Sequence, residues 1–105
     1  MAFDLMVGTG FRIKDRPCII GAIEFDELPE ISRLLKRVDS FFLHRISNVF
    51  DDQQFSVDEV AQALSHLLPL LTEAMPEAER AMLHKLIAVL AFAQQRQQTL
   101  FGVAD

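Results

Sequence analysis

Phe3, Leu5 and Val7 alternate with Ala2, Asp4 and Met6, the period-two pattern of a strand with one buried face. Gly8-Thr9-Gly10 marks a turn, because glycine takes positive φ at little cost. Phe11 and Ile13 then alternate with Arg12 and Lys14, and Asp15-Arg16-Pro17 marks a second turn. Residues 18–25 are apolar and rich in β-branched side chains, with Gly21 placed for a bulge. The pattern predicts a small antiparallel meander of two or three strands over residues 1–25.

The period then changes to that of a helix. Ile31, Leu34, Leu35, Val38, Phe42, Ile46 and Val49 share one side of a helix spanning 29–50, with Phe41 at the edge of the stripe. Pro29 suits its first turn, with Asp26 or Glu27 near the cap. Leu43 and Phe50 fall on its outer side. A second helix, 56–74, opens on the capping box Ser56-Val57-Asp58-Glu59 and is interrupted by Pro69, which cannot donate to the Ser65 carbonyl. A third helix, 76–99, starts near Pro76 and stops before Gly102. It is apolar all round over residues 86–93, so it is either central in the core or carries a second contact face. Gln94-Gln95-Arg96-Gln97-Gln98 forms its polar end. The expectation is an α+β fold in one domain, 1–105: an N-terminal hairpin or meander packed on three helices, the third most buried. A helical bundle with an extended N-terminal arm is the alternative.

Composition narrows the functional classes. Half of the 105 residues are apolar and 24% are charged, which excludes a disordered tail. The net charge is −5, and all of the excess lies in residues 46–105, with three basic and eight acidic groups. A basic nucleic-acid binder is therefore not expected. A single cysteine, Cys18, excludes an internal disulfide framework and a cysteine zinc cluster. The first residues carry no basic region before an apolar run, and the longest apolar run is eight residues against the roughly 20 of a membrane span. A cytoplasmic protein is expected.

Candidate chemistry is sparse. Gly8-Thr9-Gly10 lacks the third small residue and the helix start that a dinucleotide loop needs, since Ile13 stands at that place. Residues 48–59 resemble an EF-hand loop: Asp52 and Glu59 stand at ligand positions and Phe55 at the apolar one. Asn48, Phe50 and Gln53 depart from that pattern and leave too few oxygens for calcium. His44, His66 and His84 sit on the polar sides of their helices without ligand spacing, and Cys18 reads as a buried thiol. Asp58 and Glu59 cap a helix N-terminus, where negative charge is favoured. Arg45 points into an apolar stripe, so it snorkels, pairs with an acid, or contacts a partner. Arg33, Lys36, Arg37 and His44 point outward, and Arg12, Lys14 and Arg16 add to a basic face. Phe50, Phe55 and Leu43 near one loop would make an exposed patch out of the ordinary.

No catalytic constellation, cofactor loop or metal cluster emerges, and no cofactor is expected. A catalytic centre would have to bring Arg45, His66 and a carboxylate together from distant parts of the chain. The reading is a non-enzymatic protein-binding module. One concrete form is a bacterial inhibitor of the immunity or antitoxin type that covers a partner's basic surface. Asp51, Asp52, Asp58 and Glu59 are its candidate contact residues, with Arg45 and Phe92 as further candidates. The alternative is a small-ligand-binding or regulatory domain acting as a homodimer through the third helix.

Overall fold

The computed structural model describes residues 2–104; Met1, which opens the expected meander, and Asp105 lie outside the described residues. The fold is α+β, a four-stranded antiparallel sheet with helices on one face. The strands are β1 (Ala2–Gly8), β2 (Cys18–Glu24), β3 (Gln53–Phe55) and β4 (Thr99–Ala104), in the order β2-β1-β4-β3. The helices are α1 (Leu28–Arg37), α2 (Phe41–Ile46), α3 (Val57–Leu67) and α4 (Glu77–Arg96).

The alternation in β1 does what its period requires. Phe3, Leu5 and Val7 are buried in the same apolar cluster as Ile31, Phe42, Leu86 and Leu90 from the helices. Asp4 and Met6 take the opposite face. Between Leu5 and Met6 the register with β2 slips by one residue, so the bulge forms beside Gly21. There α4 crosses so closely that a Cβ on Gly21 would meet Val89 at 3.1 Å.

Four parts of the sequence reading change. The expected middle strand at Phe11–Ile13 is instead a loop with a short 3-10 turn, Ile13–Asp15. Its turn closes locally, with the Asp15 carboxylate accepting from the Arg12 N–H, while Phe11 folds onto Phe101 at a ring separation of 5.6 Å. The single helix 29–50 is two helices. Val38 is extended, and buried Ser40 caps α2 by accepting the Leu43 N–H. The new axis turns Leu43 into the core, fully buried rather than outward. The third expected helix ends at Arg96, where Gln97 adopts a left-handed conformation. Thr99, the expected last helical residue, instead opens β4, which lies between β1 and β3. The Ser56 capping box and the break at Pro69 stand where expected, with α3 giving way to a 3-10 turn at Leu68–Thr72.

One buried charge holds the helices in place. Glu79 on α4 is 3% exposed and pairs with Arg37 on α1, whose guanidinium also reaches Glu73 at 3.1 Å. A carboxylate in that position needs its partner. Arg37 therefore points inward to α4, not outward with the basic face.

Two outcomes follow. Gly102→Ala would drive a methyl into the Phe3 ring. It should cost about 1–3 kcal/mol, read as a lower urea midpoint with an unchanged slope; an unchanged midpoint would contradict this packing. Arg37→Ala should lower the midpoint clearly more than Arg33→Ala, whose exposed pair with Glu30 is an ordinary surface contact. Equal effects would contradict the role given to Glu79.

Candidate functional site

Among the exposed apolar side chains, Phe11, Ile13 and Ile19 lie at or before the start of β2 and Leu68 and Leu71 lie after α3, while Phe25 and Phe50 meet at one end of the sheet. β2 ends there at Glu24, and the chain turns through Phe25–Glu27 into α1. The loop between α2 and β3 reaches the same end, since Gln53 pairs with Gly102 and the Asp52 carboxylate accepts the Ala104 N–H at 2.8 Å. The two segments bring Phe25 and Phe50 together with ring centres 5.4 Å apart. Phe50 is 65% exposed and Phe25 39%. A shallow hollow lined by Ala2, Phe3, Ile23, Phe25 and Val49 lies beside them. Glu24 and Asp26 flank one ring in sequence, and Asp51 and Asp52 follow the other; all four are exposed. Asp51 accepts from the Asn48 amide and Asp52 from the Ala104 N–H, and neither is in an ion pair among the described residues.

The other sequence candidates have separate surroundings. Arg45 lies along β3 and donates to the Gln53 side chain, the Gln54 carbonyl and Glu59, with its guanidinium 4.2 Å over the Phe55 ring. Glu59 accepts the Ser56 N–H and the Arg45 guanidinium. These bonds, the Ser56 N–H first and then the nearby positive charge of Arg45, outweigh partial burial and hold the Glu59 carboxyl below the usual carboxylate range. Arg45 and Glu59 are thus engaged with each other at the β3 edge. Asp58 is exposed at the start of α3, beyond β3 from Asp51 and Asp52. The four acids therefore do not form one unbroken surface, because Arg45 stands beside the strand between them. Phe92 is half-buried on α4, with the Arg96 guanidinium 5.0 Å over its ring.

Further expectations need correction. Phe55 is fully buried, as is Leu43, so the exposed partner of Phe50 is Phe25. The signal for Phe25 was its place between acids at the end of a strand, which periodicity alone assigns to the core. His66 is half-buried rather than solvated, set edge-on to Phe41, with a buried Nδ1 that has no hydrogen-bond partner. It follows Glu59 along α3 by about 10 Å of helical rise, so Arg45 and His66 do not converge. Cys18 is exposed at the start of the edge strand, not buried. Among the described residues, no group of three or more His, Cys, Asp or Glu could hold a metal ion, and no helix is long and apolar enough to cross a membrane. Compared with protein-family models, curated proteins and solved structures, the chain matched none.

The lowered Glu59 carboxyl gives a pH test. A group depressed in the folded state adds stability above its unfolded value and loses it as pH falls through the folded one. Stability should thus fall as pH drops below the ordinary glutamate value of about 4.3. Glu59→Gln keeps a competent capping box and should shrink that fall between neutral and acid pH in urea titrations. An identical fall in parent and variant would contradict the assignment.

Proposed function

We propose that this chain is a non-enzymatic protein-binding module whose contact surface is the tilted, acid-flanked pair Phe25–Phe50. The observation that supports the reading is the exposure of two touching aromatic rings at one end of a small acidic domain. Water-exposed aromatic pairs are costly to leave uncovered, and aromatic anchors dominate the energetics of protein interfaces. The surrounding carboxylates define the partner's chemistry. Glu24, Asp26, Asp51 and Asp52 would meet lysine and arginine side chains and speed encounter with a basic surface. An inhibitor of the immunity or antitoxin type, covering the basic site of an enzyme, is the concrete form that fits both features. Within the earlier candidate set, Asp51 and Asp52 belong to this surface. Arg45 and Glu59 support it by fixing the β3 end of the sheet.

The test is capture from a lysate of the source organism at low and high salt, compared with Phe50→Ala. Phe50 is mostly exposed, so the substitution leaves the core intact. The expected result is a stoichiometric basic partner that is lost at high salt. Its affinity for the variant should fall by about 2 kcal/mol, roughly thirty-fold in Kd. A partner that binds Phe50→Ala with unchanged affinity would overturn the patch as the contact surface.

A further inference from the structure

A second apolar surface lies outside the Phe25–Phe50 patch. Cys18, Ile20, Ala88, Val89 and Phe92 line an open groove of about 440 Å³ between β2 and α4, with Lys85 at one end. A full strand cannot simply add to β2, because two of its backbone groups are already engaged. Lys85 donates to the Ala22 carbonyl, and the Glu27 carboxylate accepts the Glu24 N–H. An occupant must therefore cover the groove with side chains.

The charges flanking the strand identify that occupant. Before β2 stand Arg12, Lys14 and Arg16, all exposed and, among the described residues, in no ion pair. At its end and just beyond stand the exposed carboxylates of Glu24 and Asp26. The two clusters are separated by the strand, about 20 Å of extended chain. An apolar strip with a positive end and a negative end is complementary to itself when one copy is turned by a two-fold rotation. A copy laid parallel would set like charge on like. Two-fold pairing is also the closed arrangement, whereas end-to-end contact would polymerise.

We infer that the chain forms a two-fold homodimer through the β2–α4 groove. Ala88 and Phe92 lie near the axis, and Arg12, Lys14 and Arg16 of each copy face Glu24 and Asp26 of the partner subunit. Phe50 does not enter the groove, but Glu24 and Asp26 are shared with the proposed partner surface, so the dimer and a basic partner compete for them.

Sedimentation velocity of the full chain, at low and high salt and rising concentration, tests this. A dimer is expected at low salt, shifting to monomer at high salt. R12E/K14E/R16E makes both flanks acidic, and E24K/D26K makes both basic. Each alone should be monomeric, and an equal mixture should restore the dimer. Ala88→Glu, at an exposed position in the middle of the groove, should abolish the dimer while preserving capture of a basic partner at the Phe25–Phe50 patch. Circular dichroism confirms that each variant is folded. A wild-type monomer at low salt, a mixture that stays monomeric, a ladder of larger species, or a dimer retained by all three variants would each overturn the inference.

Discussion

An open four-stranded sheet leaves unpaired N–H and C=O groups along β2 and β3, and much of this molecule's surface follows from how those edges are closed. Each edge carries an ion pair that also serves the backbone. At β2, Lys85 on α4 bonds Glu27 at 2.6 Å and the Ala22 carbonyl at 3.2 Å, while Glu27 takes the Glu24 N–H. Burial raises the Glu27 pKa, but the Glu24 N–H and the Lys85 ammonium together bring it below the ordinary value. At β3, Arg45 bonds Glu59 and the Gln54 carbonyl, while Glu59 takes the Ser56 N–H. Such half-exposed pairs contribute only about 0–1 kcal/mol each through charge attraction. Their larger effect is to satisfy strand and helix ends and to discourage pairing with other chains.

The same closure divides the acidic groups into two kinds. Glu27, Glu59 and Glu79 are held by cations, and their charge is spent inside the fold. Glu24, Asp26, Asp51 and Asp52 make no ion pair among the described residues, and they collect where β2 ends and β3 begins. Among the basic groups Arg33, Arg37, Arg45 and Lys85 are paired, whereas Arg12, Lys14 and Arg16, like Lys36, Arg80 and Arg96, are in no ion pair among the described residues. Two clusters of free charge thus sit at opposite ends of the edge strand, with exposed apolar side chains at both ends and alongside. That distribution is the physical basis for reading the chain as a contact module.

Local signals were legible wherever chemistry was local. The alternation of Phe3, Leu5 and Val7, the bulge at Gly21, the Pro29 start, the Ser56 box and the Pro69 break all depend on neighbours within a few residues. What could not be read depends on distant partners. Residues 99–104 are a strand because β1 pairs with them, and the six-residue segment has no strong alternation of its own. The stripe from Ile31 to Val49 passes from Val38 to Phe42 without a gap, so period alone hides the break that the Ser40 cap makes. Arg45 was legible as an anomaly on an apolar stripe, and its partners were not. Phe25 was hidden because a strand-end phenylalanine carries the same pattern whether it packs inward or meets Phe50.

The functional account rests on Phe50 being a contact residue, and covalent capture from that position examines it most directly. A photo-reactive benzoylphenylalanine would be placed at position 50, with a control at Ser65, which is exposed on α3. Irradiation in lysate of the source organism should give one predominant adduct from position 50, to a protein of net positive charge, and none from position 65. Equal labelling from both positions, or no adduct from position 50, would contradict the account.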